Sequence, residues 1–161
     1  MSGTARFRTL APLLSLLARL VLAGVFLLAG ALKVVDPQGA VQAVRAYELL
    51  PPSLETVVGY GLPFLEIALG LLLAGGILTR ITAAAAAALL VVFILGVASA
   101  AARGLSIDCG CFGGGGTVAP GQARYAGEIA RDLGLLLLAA WLIWRPRSLF
   151  SLDRGDPEEM V

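Results

Sequence analysis

The feature that most restricts the fold is an apolar run from Ile81 to Ala102 that contains no charged side chain. At about 1.5 Å per residue, a helix of this length crosses a hydrocarbon core about 30 Å thick. The composition points the same way, because 58% of the residues are hydrophobic and only 14% are charged. Soluble domains carry about 25% charged residues. The sequence therefore predicts a membrane protein.

The residue counts exclude several classes of function. A formal net charge of +1 leaves no basic surface for phosphates, so nucleic acid is not an expected partner. The sequence has no histidine, which removes most metalloenzymes and the histidine-dependent nucleophilic dyads and triads. High hydrophobicity also excludes a disordered chain. A small multi-pass membrane protein remains.

We predict an all-α, four-helix bundle that forms one membrane domain over residues 1–161. The spans are expected at about 10–32, 57–78, 81–102 and 125–144, followed by a polar tail over 145–161. The first span is longer than the apolar part of a signal peptide, so it is interpreted as an uncleaved anchor. The fourth contains Glu128, Arg131 and Asp132. It is accepted because half a helix in lipid would leave backbone groups unsatisfied.

The segment between the first two spans predicts a short amphipathic helix at the membrane interface. Asp36-Pro37 is typical of a helix start, and Pro51-Pro52 ends the segment. Polar and apolar side chains then fall on different helical faces. The polar face carries Gln38, Gln42 and Arg45, and the other carries Ala40, Val44 and Tyr47.

The arginine distribution predicts the orientation. Four spans place both termini on one side, where Arg6, Arg8, Arg145 and Arg147 lie beside span ends. The positive-inside rule then favours cytoplasmic termini in the cell membrane. The loop over residues 103–124 would face the extracytoplasmic side, where disulfides form and persist.

This loop carries the only two cysteines, Cys109 and Cys111, separated by one glycine. Their spacing allows a disulfide, and a ring this small is strained, which is typical of labile or catalytic bonds. The residues expected to support the redox loop are Asp108, Gly110, Phe112 and Gly113. An inert disulfide, free thiols and a metal site stay open as alternatives. No metal is assigned, because two cysteines and Asp108 fall short of the four ligands of a structural zinc site.

Four charged residues are expected within the spans, namely Arg19, Glu66, Arg131 and Asp132. Their positions predict similar depths near the midplane, where ionisable groups are costly unless paired. One interpretation is a salt-bridge network that fixes helix packing. The other is a polar pocket that handles protons or binds a quinone head group.

Five motifs carry a family resemblance: Gly30-Ala31-Leu32-Lys33, Leu49-Leu50-Pro51, Leu62-Pro63-Phe64-Leu65-Glu66, Asp108-Cys109-Gly110-Cys111-Phe112-Gly113 and Arg131-Asp132. Over about residues 10–145 the chain resembles the MauE/DoxX-like membrane proteins, and the methylamine-utilisation MauE branch most closely. The resemblance implies a redox-associated cysteine pair in a four-helix bundle. It also implies a thioredoxin-fold, MauD-like partner and a role in maturing a disulfide-rich dehydrogenase subunit.

The predicted function is thiol–disulfide exchange between Cys109 or Cys111 and such a partner, during maturation of extracytoplasmic proteins. One cysteine pair cannot relay electrons across a bilayer. The electrons would stop at the partner, pass to another subunit or enter a bound quinone. Two alternatives stay open: a non-catalytic assembly scaffold, and a small metal- or solute-handling membrane protein. Whether the chain is an enzyme is also left open.

Overall fold

The structure, a computed structural model, describes residues 3–111, 113–119, 121–146, 148 and 151–152. These residues form five helices and one small ladder. The helices are α1 (Gly3–Val35), α2 (Pro37–Ala46), α3 (Pro52–Gly75), α4 (Thr79–Ala102) and α5 (Tyr125–Trp144). Two short strands, β1 (Ile107–Asp108) and β2 (Gly116–Thr117), pair antiparallel in the loop between α4 and α5. The sequence did not predict this ladder.

Three of the described helices are long and apolar enough to cross a membrane. They are Leu10–Val35, Pro52–Gly75 and Thr79–Ala102. The chain is therefore an all-α membrane protein. Helix α5 has 20 residues, but Glu128, Arg131 and Asp132 lie in its first half. Its crossing of the membrane stays a prediction.

The four long helices enclose one apolar core. Its buried residues are Ala18, Leu22, Ala23 and Phe26 of α1, Leu69 and Leu73 of α3, Ala83, Ala86 and Leu90 of α4, and Leu135, Ala139 and Leu142 of α5. Helices α1 and α3 come especially close at Gly30, where a Cβ would lie 2.8 Å from the carbonyl oxygen of Pro63. A small residue at this contact lets two helix backbones approach each other.

Helix α2 connects α1 to α3 and has two different faces. The side chain of Asp36 caps its first turn by accepting a hydrogen bond from the Gly39 N–H at 2.9 Å, and Pro37 occupies the first turn. Ala40, Val41 and Ala43 are buried, whereas Gln38, Gln42 and Arg45 are exposed. The buried face packs against α3 and β2. The helix thus forms a platform beside the cysteine loop, and its position at a membrane interface stays a prediction.

The opposite end of the bundle is covered by the beginning of the tail. Trp141 Nε1 donates to Ser15 Oγ at 3.1 Å, and Ser15 Oγ donates to the carbonyl of Arg145 at 3.0 Å. Further along, Ser151 Oγ donates to the carbonyl of Gly76 at 2.9 Å. These bonds hold the described part of the tail against α1 and the turn between α3 and α4.

Candidate redox site

The cysteine loop is fixed at its base by backbone and tyrosine hydrogen bonds. Ile107 pairs with Thr117 in the ladder, and the Val118 N–H donates to the carbonyl of Ser106 at 2.8 Å. The Tyr125 hydroxyl accepts from the Ile107 N–H at 3.0 Å and donates to the carbonyl of Leu105. The first residue of α5 therefore helps to set the position of the strand that leads into the cysteines.

The tip of the loop rests on α2. Tyr47, at the end of this helix, donates its hydroxyl to the carbonyl of Cys109 at 3.3 Å. Gly110 has a φ of +66°, and a Cβ at this position would lie 2.5 Å from the Cβ of Ala43. Both the left-handed backbone and the close approach require glycine here. The pair of cysteines is thus presented by a docked turn.

Within this turn the two thiols have different surroundings. Neither cysteine is in a disulfide, and Cys109 is partly exposed whereas Cys111 is buried. The backbone N–H of Cys111 donates to Cys109 Sγ at 3.3 Å. The carboxylate of Asp108 accepts from the Gly110 N–H at 3.1 Å, which closes the turn. Cys109 is thus the less buried of the two residues, and its sulfur accepts the Cys111 backbone N–H.

The same arrangement separates the pKa values of the two thiols. A hydrogen bond from the Cys111 side chain lowers the pKa of Cys109, and the Cys111 backbone and Arg131 act in the same direction, against the effect of burial. The pKa of Cys111 is raised by its interaction with the neighbouring Cys109 side chain and by burial. Thiolate is the nucleophilic form of cysteine. The attacking group is therefore expected to be Cys109.

A buried ion pair lies behind Cys111. Lys33 Nζ lies 2.6 and 2.8 Å from the two carboxylate oxygens of Glu66, and the two side chains are only 5% and 1% exposed. The same ammonium donates to the carbonyl of Cys111 at 3.2 Å. Lys33 thus ties the loop to α3 through one charged group, and hydrogen bonds to charged groups are stronger than neutral ones.

A second ion pair, on α5, reaches the same region. Arg131 Nε and Nη2 both lie 2.8 Å from Asp132 Oδ1. Arg131, Asp132, Glu66 and Cys111 line one cavity of about 20 Å³, together with apolar side chains of α1, α4 and α5. Asp132 is 2% exposed, and its Oδ2 has no hydrogen-bond partner in the described part of the chain. The cavity has room for about one water molecule.

A quinone head group does not fit this cavity. Sites for ligands of that size are clefts of roughly 300–1,000 Å³, whereas this space measures about 20 Å³. The polar groups around it also pair with one another through Lys33–Glu66 and Arg131–Asp132. The volume of this cavity therefore does not support the interpretation of the intramembrane charges as a quinone pocket.

Two carboxylates, those of Asp108 and Glu128, lie near Cys109. Ligand atoms of Asp108, Cys109 and Glu128 all lie within 4.8 Å of one another. However, Asp108 is exposed and already accepts a backbone hydrogen bond. Three donors are also one fewer than structural zinc sites use. The carboxylate of Glu128 instead lies within 4.8 Å of Cys109 Sγ, close enough to influence the ionisation of this thiol.

The family was identified by comparison with known proteins. A family model described as methylamine utilisation protein MauE matches residues 11–145. The chain belongs to the MauE family. Neither the comparison with curated proteins nor the comparison with solved structures gave a match. For this MauE-family protein, the structural details of the site therefore come from its own residues.

The structure divides the predicted intramembrane network into two parts. Glu66, Arg131 and Asp132 do meet beside the cysteine loop. Arg19 does not join them, because its Nη1 donates to Ser148 Oγ at 2.8 Å at the opposite end of the bundle. The expected meeting of all four charges is therefore wrong. The depth argument placed Arg19 near the midplane, but α3 ends at Gly75 and a Cβ at Gly76 would clash with Arg19 Nη1, so Arg19 is level with the end of α3.

Sequence reasoning missed three residues of the site. Lys33 lies just outside the predicted first span at about 10–32, yet α1 continues to Val35 and buries it. A lysine at the end of a span, with one unmatched glutamate in the next, is a signal that could have revealed the pair. Tyr47 and Glu128 also reach Cys109. Of the predicted residues, Asp108, Gly110 and Gly113 lie in the docked loop, and Phe112 lies outside the described residues.

Proposed function

We propose that this MauE-family protein performs thiol–disulfide exchange through Cys109 and Cys111. The proposal depends chiefly on one observation, the donation of the Cys111 N–H to the sulfur of the partly exposed Cys109 at 3.3 Å. A donor at this sulfur favours the thiolate. The second thiol is buried two residues away, which suits a resolving group that a partner protein does not reach first.

The proposed reaction has two reversible steps. The Cys109 thiolate attacks a disulfide of the partner, forms a mixed disulfide and releases one partner thiolate. Cys111 then attacks the Cys109 sulfur, closes the Cys109–Cys111 disulfide and releases the second partner thiolate. The pair loses two electrons, and the partner's disulfide gains them. In the reverse direction the pair oxidises a partner dithiol.

The partner is proposed to have a thioredoxin fold, because such proteins present one accessible sulfur on a docking surface. The docked turn leaves Asp108 and Gly114 exposed beside Cys109, so a partner backbone can approach there. We further propose four spans, cytoplasmic termini and an extracytoplasmic cysteine loop. The biological role would be the maturation of extracytoplasmic proteins, in methylamine utilisation where that pathway is present.

Single cysteine variants test the exchange. Cys111→Ser keeps the attacking thiol and removes the resolving one, so it should accumulate a mixed disulfide with a thioredoxin-fold protein. Cys109→Ser should accumulate much less, and the double variant should accumulate none. Equal trapping by both single variants would contradict the assignment of Cys109. Full maturation of the target protein by the double variant would instead favour a scaffold.

Thiol labelling tests the orientation. In intact cells, a membrane-impermeant maleimide should label reduced Cys109. The matched control is Ser148→Cys in a chain whose two native cysteines are serines, because Ser148 lies at the opposite end of the bundle beside Arg19. This cysteine should be labelled only after the membrane is permeabilised. The reverse labelling pattern would overturn the proposed orientation.

A further inference from the structure

We propose that the cleft between α2 and α3 binds the headgroup of a zwitterionic phospholipid that carries a primary ammonium, such as phosphatidylethanolamine. The cysteine turn packs against Ala43 of α2, whereas the cleft lies on the face that carries Gln42 and Arg45. Helix α2 would thus contact lipid through one face and the turn through another. This site is additional to thiol–disulfide exchange and does not depend on that reaction.

The cleft lies where α2 and α3 pack together. A Cβ at Gly59 would lie 2.7 Å from the Cα of Val41, so the two helix backbones approach closely there. Beside this contact is a cavity of about 190 Å³, lined by Gln38, Val41, Gln42, Arg45, Thr56 and Tyr60. One water needs roughly 10–15 Å³, whereas sites for whole ligands measure roughly 300–1,000 Å³. The space therefore suits a headgroup of several atoms rather than a whole ligand.

Hydrogen-bond donors reach this cavity from both helices. The spacing of Gln38, Gln42 and Arg45 places them on one face of α2, and all three are exposed. Tyr60 of α3 is 48% exposed. The Thr56 hydroxyl already donates to the carbonyl of Pro52. Two amides, one guanidinium and one phenol are therefore the groups that can donate to phosphate oxygens.

The charges at the cleft favour a zwitterion. Arg45 Nε lies 3.3 Å from Glu55 Oε2, and the Arg45 side chain is 54% exposed. A guanidinium has five N–H donors, so it can bind a phosphate while it stays paired with one carboxylate. A phosphate beside Arg45 and an ammonium beside Glu55 would match both charges. A headgroup without an ammonium would bring uncompensated negative charge close to Glu55.

An exposed apolar stripe continues from the cleft along α3. On the helical face of Tyr60 follow Phe64, Ala68 and Leu71. Phe64 is 66% exposed and Leu71 is 59% exposed, and α3 is long and apolar enough to cross a membrane. A lipid acyl chain can lie along this stripe while its headgroup occupies the cleft. A free phosphate would gain nothing from the stripe, so the two features together favour a lipid.

The position of the cleft along the chain agrees with the depth of lipid headgroups. Thr56 and Tyr60 lie in the first two turns of the candidate span Pro52–Gly75. Tyrosine is enriched where a membrane helix meets water. An amphipathic helix such as α2 is also expected in this layer, with its polar face towards the headgroups. The polar donors and the apolar stripe therefore follow the polarity of a phospholipid.

Native mass spectrometry of the delipidated full-length protein in dodecyl maltoside tests the site. Palmitoyl-oleoyl phosphatidylethanolamine is added stepwise, and the affinity for the first bound lipid is measured. Arg45→Met should weaken this affinity about tenfold, since it removes a charge-assisted hydrogen bond to phosphate. Gln42→Leu keeps every charge and should weaken it by a smaller factor. Arg80→Met should bind like the native chain, because Arg80 is exposed at the opposite end of the bundle.

Two further comparisons test the chemistry of the headgroup. The native chain should prefer phosphatidylethanolamine to phosphatidylglycerol, and Glu55→Gln should lose this preference because the ammonium then has no carboxylate partner. Inorganic phosphate in large excess should displace little of the bound lipid. Complete displacement by phosphate would indicate a site for soluble anions and would overturn the assignment to a lipid.

Two other results would also overturn the proposal. Equal affinities of the native chain, Arg45→Met and Arg80→Met would show that the lipid binds outside the cleft. A native preference for phosphatidylglycerol would show that Glu55 does not select an ammonium.

Helix content by circular dichroism and a thiol reaction check that Arg45→Met is folded. The reduced native chain and this variant should release thionitrobenzoate from 5,5′-dithiobis(2-nitrobenzoate), a chromogenic disulfide, at the same rate. With normal helix content and release, a weakened lipid affinity can be assigned to the cleft. If neither chain releases thionitrobenzoate, the exchange function fails, whereas the lipid affinities still decide the present proposal.

Discussion

Lys33 and Glu66 form an ion pair at 2.6 Å that is almost completely buried, and Lys33 also holds the carbonyl of Cys111. The pair joins α1, α3 and the cysteine loop at one point. Two buried charges are stable only because each satisfies the other. The position of the redox loop therefore depends on a contact between two helices and not on the loop sequence alone.

The Lys33–Glu66 pair should be needed for stability. In Lys33→Met the Glu66 carboxylate stays buried without its partner, which costs about 3–5 kcal/mol. The double variant Lys33→Met/Glu66→Met should recover most of this loss, since no charge is then left unpaired. Unfolding of the purified protein in increasing dodecyl sulfate, followed by circular dichroism, measures the change.

The chain offers a matched control for this prediction. Arg45 and Glu55 form an ion pair at 3.3 Å, but the Arg45 side chain is 54% exposed. Arg45→Met should therefore cost less than about 1 kcal/mol. Equal losses for Lys33→Met and Arg45→Met would show that burial of the Lys33–Glu66 pair has no energetic importance.

The docking of the cysteine turn on α2 can be tested at Gly110. Gly110→Ala adds a Cβ next to Ala43 in addition to a strained left-handed backbone, so we expect the turn to lift away from α2. Cys111 should then react faster with N-ethylmaleimide, as measured by mass spectrometry.

Gly104→Ala separates the two causes of this effect. Gly104 has a φ of +70°, and its Cβ position has no neighbour within 4 Å. This variant should show only the backbone strain of about 1–2 kcal/mol, with Cys111 still protected. Unchanged protection of Cys111 in Gly110→Ala would rule out docking of the turn through this glycine.

The hydrogen bond from Cys111 should be visible in the pH dependence of Cys109. Because this bond lowers the pKa of Cys109, the thiolate persists below the ordinary value of about 8.5 and is lost as the pH falls through the lowered pKa. Alkylation of Cys109 by iodoacetamide should have a lower midpoint in Cys111→Ser, which keeps a donor, than in Cys111→Ala. Identical midpoints would mean that the side chain of residue 111 does not stabilise the thiolate.

The far end of the bundle should affect stability without affecting thiol chemistry. Ser15→Ala removes a buried hydroxyl that bonds both Trp141 and Arg145, so two polar groups lose their partner at a cost of about 1–3 kcal/mol. The matched control is the Thr56 hydroxyl, which donates an exposed hydrogen bond to the carbonyl of Pro52. Thr56→Ala should therefore cost much less. Thionitrobenzoate release should stay normal in Ser15→Ala. A slowed release would show that the two ends are coupled.

The sequence by itself determined the class of the protein and identified the two cysteines on which the proposed function depends. Long uncharged runs such as Ile81–Ala102 predict membrane helices. In a hydrocarbon core the backbone must satisfy its own hydrogen bonds, and a helix does so within one segment. Two cysteines in a chain without histidine restrict the chemistry of the loop. The family motifs led to the MauE family, which the match over residues 11–145 confirmed.

Only the tertiary structure decided which charges meet and which thiol is exposed. Depth along a helix does not fix the rotation of that helix or the packing of its neighbours. Arg19 therefore pairs at the far end, whereas Lys33 reaches Glu66 and Cys111. The difference between Cys109 and Cys111 arises in the same way, since it depends on a turn packed against α2 and α5. Contacts between distant residues set burial and hydrogen bonding, and these set the reactivity of each sulfur.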